Sequence, residues 1–312
     1  MSTDNFLEPA ILRTIVFFDI FQYPLTTVQC WRLLYDPEQQ QGRVDLVLIE
    51  QCLNKLQDKK IVKCSLGFWQ MASSPEYLPV RQQRYRLAAF KFRKVIRWVK
   101  LFILLPSVRL IALVNSVGYR NPQVTDDIDL FIVARQHKLW LTRFWLTGLA
   151  KIFGLRPTVS HQQDGLCFSF YLSDSHLNMT DLMIAKPDVY FHFWFTQITV
   201  LFDDGVGKQL VQANNDWLKN FPNLNINLQA IIPEVSRLVK TARFIAKLLT
   251  LSWFEPLVRM IQDRWLLPEQ LKLKANQDTT VLITNEVLKF HEHDRREYYF
   301  KLWQQKLSDL NL

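Results

Sequence analysis

Glycine is scarce in this chain, eight in 312 residues. None is spaced as GxGxxG or as the glycine-rich turn of a P-loop, so neither a dinucleotide-binding nor a P-loop reading has support. Cysteine is equally sparse. Cys30, Cys52, Cys64 and Cys167 form no CxxC pair, which speaks against a disulfide framework or a structural zinc site and suits a reducing compartment. Long uninterrupted apolar runs are missing as well. The greasiest stretch, residues 95–117, is broken by Arg97, Lys100, Pro106 and Arg109, so no spanning segment and no membrane partner are expected. The opening MSTDNFLEPA lacks the basic-then-apolar pattern of a secretory signal, and a cytoplasmic location is expected.

What is present is apolar residue in quantity, 49% hydrophobic with 13% aromatic. A chain of this size and composition can bury a large core and is expected to form two or three domains. Its formal charge of +9 suits a polyanionic partner, and both nucleotides and nucleic acid are candidates.

Residues 1–75 read as one small unit. Phe6 to Phe21 is a helix candidate, Tyr23-Pro24 breaks it, and Thr26 or Thr27 can cap a second helix to about Tyr35. A third spans Val44 to Asp58, with Leu46, Ile49, Leu53 and Leu56 on one face. Two short strand-like runs, IVKCSL and FWQM, follow around Gly67. Three helices closed by a hairpin is the order of a winged helix. The third helix sets Asp45, Glu50 and Asp58 against Lys55, Lys59 and Lys60, a balance poorly suited to tracking phosphates, so packing or partner docking is favoured over DNA reading.

After Ser73-Ser74-Pro75, a helix is expected over Val80 to Leu105. Between residues 81 and 100 it carries eight basic residues and no acid, which reads either as a solvated face or as a basic wall beside a phosphate-bearing ligand. Strands are expected at 108–114, 127–134 and 166–172, with a helix from Leu139 to Phe153 between the last two. Helices are expected over Tyr190 to Leu201, Lys208 to Asn220, Ile232 to Leu249 and Leu282 to Lys306. This divides the chain into a winged-helix-like domain at 1–75, a core at 76–205 and a helical C-terminal region at 206–312, an α+β protein.

Within the core, VNSVGYRNPQVTDDIDLFIVA (114–134) is the informative stretch. Side chains alternate along a strand, so Asp127 and Asp129 share one face while Ile128, Leu130 and Ile132 share the other. Two carboxylates this close repel, more so when desolvated, and such a pair persists where a cation or a shared proton offsets the repulsion. Oxygen ligands favour Mg2+ or Mn2+, with substrate phosphates completing the shell. Upstream, Asn115 and Ser116 end the preceding strand, where a turn can present backbone N–H groups to an anion.

A strand, a small polar pair, ten residues and an Asp-x-Asp on a second apolar strand resemble the DNA polymerase beta-like nucleotidyltransferase superfamily. FDIFQYPLT, ANNDWLKNFPN (213–223) and VLKFHEHDRREYY extend the resemblance to bacterial nucleotidyltransferase-domain proteins with an N-terminal winged helix. The resemblance implies a mixed sheet flanked by helices, nucleotide contacts at Asn115 and Ser116, and Asp127 and Asp129 as catalytic metal ligands. It implies transfer of a nucleoside monophosphate from an NTP to an acceptor that is a small molecule, a protein or RNA. Two departures stand out. Asn115 replaces the superfamily's glycine, although asparagine tolerates the left-handed region. The strand that usually carries a third carboxylate reads LCFSFYL, with Ser169 at the polar position and Asp164, at its start, as the candidate substitute. The alternative is a nucleic-acid-binding or regulatory protein whose nucleotide site is degenerate.

Three other groupings read as structural. His291-Glu292-His293-Asp294 on a helix cannot place both histidines on one metal. Asp203-Asp204-Gly205 reads as a turn. Phe191, Phe193 and Trp194 read as core.

Overall fold

A computed structural model describes residues 4–36, 42–158, 162–226, 228–232, 237–292 and 294–312. Apolar spacing of three and four sets the first unit, in which α1 (Asp4–Ile20), α2 (Thr27–Arg32) and α3 (Leu46–Asp58) bury Ile11, Ile15, Cys30, Ile49, Leu53 and Leu56 together. A capping box starts α2: the Thr26 hydroxyl accepts from the Gln29 N–H, and the Gln29 side chain accepts from the Thr26 N–H. β1 (Leu25–Thr26), β2 (Val62–Ser65) and β3 (Phe68–Met71) form an antiparallel sheet in the order β1-β3-β2. Leu66 and Gly67 join β2 to β3 with φ of 49° and 80°, the two left-handed residues that a twisted hairpin prefers.

The larger sheet contains β4 (Val108–Leu113), β5 (Ile128–Ala134), β6 (Leu166–Ser173), β7 (Thr199–Asp203), β8 (Val281–Ile283) and β9 (Val287–Phe290), ordered β7-β4-β5-β6-β9-β8. β5 and β6 run parallel, while the other pairs are antiparallel. α4 (Leu78–Phe102) and α6 (Leu139–Ile152) cover one face over Ile111, Ile128, Leu130, Ile132 and Tyr171, and the short α5 (Asn115–Gly118) leaves the end of β4. α7 (Val189–Thr196), α8 (Gly207–Ala213) and α9 (Asn215–Leu218) cover the other over Ala112, Phe131, Val133 and Phe170. The chain is thus an α+β protein with a mixed open sheet, and no described helix is long and apolar enough to cross a membrane.

The remainder is a run of short helices, α10 (Arg237–Ile245), α11 (Glu255–Ile261) and α12 (Glu269–Lys274), then β8 and β9, then α13 (Arg296–Ser308). Glu255 of α11 accepts the Trp140 and Leu141 N–H groups at 2.8 and 3.0 Å, which gives the donors exposed at the start of α6 an anionic partner. α13 returns to the first unit: Trp303 and Leu307 join its core, and Trp303 Nε1 donates to the Arg13 carbonyl at 3.0 Å.

Two expected helices are corrected. Tyr190 to Leu201 divides into α7 and the edge strand β7, because Thr199 and Val200 are β-branched and gain a ladder with β4. Leu282 to Lys306 is helical only from Arg296; its first part is the β8–β9 hairpin. The Thr284 hydroxyl accepts from the Glu286 and Val287 N–H groups, a local turn that competes with helix. The span Lys208 to Asn220 is interrupted between α8 and α9, and residues 233–236 of the helix expected from Ile232 lie outside the described residues.

The basic stripe of α4 is divided between two uses. Arg81 donates to the Pro24 carbonyl at 2.6 Å and covers the Tyr23 ring, and Arg84 donates to the Phe21 carbonyl at 3.1 Å, so both tie α4 to the first unit. Arg86, Arg93, Arg97 and Lys100 are exposed. Lys91 is wholly buried: its ammonium donates to Asp164 at 2.7 Å and to the carbonyls of Val124 and Asp126. Removing one partner of a buried pair strands the other charge. Lys91→Ala is expected to lower unfolding free energy by about 3–5 kcal/mol, measured by chemical denaturation; a loss below about 1 kcal/mol would show the pair to be dispensable.

Candidate functional site

Three strand ends meet at one edge of the larger sheet. Antiparallel pairing sets the end of β4 beside the start of β5, with the Val114 N–H donating to the Asp129 carbonyl at 3.2 Å. Parallel pairing sets Cys167, at the start of β6, opposite Asp129. One ligand atom from each of Asp127, Asp129 and Cys167 lies within 4.8 Å of the others. Ile128 and Leu130 between and beyond the aspartates are fully buried, which is the alternation the sequence implies.

Asn115 turns the chain at this edge with φ of 52°. Trp194 Nε1 donates to Asn115 Oδ1 at 3.0 Å, which leaves the amide nitrogen to donate to the Asp129 carboxylate. Gly118 closes the turn, since a Cβ there would stand 2.8 Å from the Leu113 carbonyl oxygen. Ser116 sits half-buried in α5, beside Asn115 but outside the residues that line the cavity described next.

The cluster opens into a cavity of about 740 Å³ lined by Asn115, Asp127, Asp129, Cys167 and Ser169 at the strand ends and by Lys289, His291, Glu292, Asp294, Arg295 and Arg296 along β9 and the approach to α13. That volume lies in the range of small-molecule sites. The second group consists of residues that the helical reading of 282–306 concealed. Read as a strand, Val287, Lys289 and His291 alternate onto one face, a pattern present in the sequence. The basic residues of α4 do not line this cavity.

Electrostatics divide the two groups. Burial, then Asp127, raises the Asp129 carboxyl to about 7, outweighing Asn115 and Cys167, and burial raises Asp127 as well. Burial, then the two aspartates, raises the Cys167 thiol well above its ordinary range, so it stands as an S–H donor to both carboxylates. In the second group Arg296 pairs with Asp188 at 2.8 Å and with Asp294, and burial lowers Lys289 to about 8. His291 Nε2 lies 3.1 Å from Ser169 Oγ, and burial, then Lys289, lowers its pKa to about 3, leaving it neutral.

Asp164, the candidate third carboxylate, is turned to Lys91 and to Lys94 at 3.8 Å, and Cys167 is the third member of the cluster. Asp294 is bound between Lys289 and Arg296, and His293 lies outside the described residues. Phe191, Phe193 and Trp194 are buried, with Phe191 and Trp194 also edging the cavity.

The donor set suits a hard divalent cation at the carboxylates, because burial raises both aspartates by disfavouring their charged forms, a cost that such a cation would offset. The Cys167 thiol is a softer group than either carboxylate. No family model matches the chain, and no curated protein and no solved structure is significantly similar to it.

Two outcomes follow from this geometry. A side chain with no local hydrogen bond is strained at positive φ by roughly 1–2 kcal/mol, so Asn115→Ala is expected to destabilise more than Asn115→Gly, as denaturation midpoints will show; the reverse order would remove the backbone argument. Because the folded pKa of Asp129 lies above its unfolded value, the folded state holds the extra proton between about pH 4 and pH 7, and stability falls as pH rises through that window. With chelator present, wild type is expected to lose on the order of 2 kcal/mol relative to Asp129→Asn between about pH 5 and pH 8. Parallel stability profiles for the two proteins would contradict the raised Asp129 carboxyl, whose first cause is burial and second is Asp127.

Proposed function

We propose that this chain is a metal-dependent nucleotidyltransferase of the DNA polymerase beta-like superfamily, moving a nucleoside monophosphate from an NTP to an acceptor. The observation that carries the reading is the same-face pair Asp127 and Asp129 beside the left-handed Asn115 turn, opening on a cavity that basic residues also line. Asp127 and Asp129 would hold Mg2+ or Mn2+, which when bound neutralises charge on the triphosphate. Asn115 keeps Asp129 aimed at the cavity, and the exposed Arg295 supplies positive potential for the phosphates, while Lys289 and Arg296 are held by Asp294 and Asp188. In the transfer an acceptor hydroxyl would release its proton to solvent as its oxygen bonds to the α-phosphorus, the bond to the bridging α–β oxygen would break, and pyrophosphate would leave with the charge.

In this reading the first unit is a winged helix that serves docking rather than DNA reading. Its core continues into Val189, Phe193, Trp303 and Leu307, so its inner surface is committed to the rest of the chain.

A second reading, a nucleotide-binding regulatory protein without transfer, is favoured by one feature. Cys167 is the third member of the cluster, and a protonated thiol supplies neither a strong hard-metal ligand nor a carboxylate base.

Incubation with each α-labelled NTP and Mg2+ or Mn2+, with and without cell extract, is expected to leave label on an acceptor. Asp127→Asn and Asp129→Asn should each abolish that label while the fold persists. Binding has its own readout: Mg2+ with one NTP should raise the melting temperature, the equivalent of about 2.7 kcal/mol at a hundredfold excess over Kd. The double variant should lose the metal-dependent part. A shift without label supports the regulatory reading; label retained in both variants, or no shift with any NTP at millimolar levels, overturns the assignment.

A further inference from the structure

The surface over α10, α11 and α12 differs from the rest of the molecule. Between residues 237 and 274, Phe244, Ile245, Leu248, Trp253, Trp265 and Leu273 are 64–73% exposed, and Leu257, Met260 and Leu266 add to them. Large apolar side chains exposed in such number within one short span mark an interaction surface. Spacing groups them: Phe244, in the last turn of α10, and Leu248, in the 3-10 turn after it, are four apart, and Trp253, in a 3-10 turn before α11, is followed at four and three by Leu257 and Met260 within α11.

The same span carries eight Lys or Arg against three acids. Arg243 and Glu255 are engaged internally, through Asp204 at 3.2 Å and the start of α6. Lys272 pairs with Glu269 at 2.7 Å and Lys274 with Glu292 at 2.9 Å, which leaves Arg237, Lys240, Lys247, Arg259 and Arg264 against Asp263, and all five of these bases are exposed. Tryptophan, phenylalanine and leucine beside lysine and arginine on short helices is the composition of a segment lying in a bilayer interface.

We propose that this face binds an anionic lipid surface. Charge decides against a second copy of the chain, because a two-fold contact would set the same basic patch against itself. The aliphatic residues decide against nucleic acid, since Ile245, Leu248, Leu257 and Leu273 offer bases no stacking surface. Anionic headgroups meet the bases, and acyl chains meet the apolar side chains. The lack of a spanning helix among the described residues bears on crossing a bilayer and leaves association with its surface untouched.

Co-sedimentation of the full chain tests this with vesicles of phosphatidylglycerol mixed with phosphatidylcholine, against vesicles of phosphatidylcholine alone. Binding to the anionic vesicles is expected to be at least tenfold stronger and to fall several-fold at high salt. Trp253→Glu with Trp265→Glu should abolish it, and Lys240→Glu with Lys247→Glu should weaken it tenfold, with circular dichroism showing both variants folded. No binding to anionic vesicles, or binding unchanged in the tryptophan variant, overturns the proposal. So does a wild-type dimer in size-exclusion chromatography that the tryptophan variant dissolves, or single-stranded RNA retained through this face more tightly than the vesicles.

Discussion

The buried ammonium of Lys91 holds the candidate site in place. It comes from a long helix and meets Asp164 before β6 together with the carbonyls of Val124 and Asp126 before β5. These are the two loops that deliver Cys167 and Asp127. A charge removed from water is costly unless its partners are fixed. The contact therefore fixes the lead-in to two parallel strands that no tight turn joins. The Asp164 N–H donating to the Asp126 carbonyl at 3.2 Å completes the arrangement.

From there the polar edge depends on the aromatic layer below it. Phe131, Phe170 and Trp194 pack with centroids 5.0–5.8 Å apart, and the indole nitrogen of Trp194 reaches up to Asn115. Asn115 in turn meets Asp129. A core ring thus sets the orientation of an amide that sets a carboxylate, and the cluster inherits the rigidity of close packing. The residues along β9 and the approach to α13 have a separate support, since Arg296 of α13 donates to Asp188 and Asp294, and Asp294 also accepts from Lys289 of β9.

Local periodicity made much of this legible. The ends of α3 and α4 fall within two or three residues of where their apolar spacing places them, and the alternation of DDIDL orients both aspartates. Residue type alone marked Asn115 as fit for a left-handed turn. The failures have definite causes. The runs at 199–203 and 281–290 are short and apolar, and their strand character comes from β4 and β6, which lie far away in sequence. Cys167 lies two residues before Ser169 and lines the same cavity, and it is the pairing of β6 with β5, which the sequence does not display, that sets Cys167 rather than Ser169 opposite Asp129. The pairing of Lys91 with Asp164 spans 73 positions and leaves no local trace.

The return of α13 to the first unit has a consequence for how the chain is made. Trp303 and Leu307 sit in the same core as Ile11, Ile15 and Leu53, so the unit built from α1 to β3 leaves the ribosome before two of its core side chains have been made. At 5 to 20 residues per second, the wait between position 71 and position 303 is roughly 10 to 50 s. For that interval a greasy surface built around Phe17 and Tyr35 stays open, and shielding it falls to chaperones or to transient contact with the nascent middle of the chain.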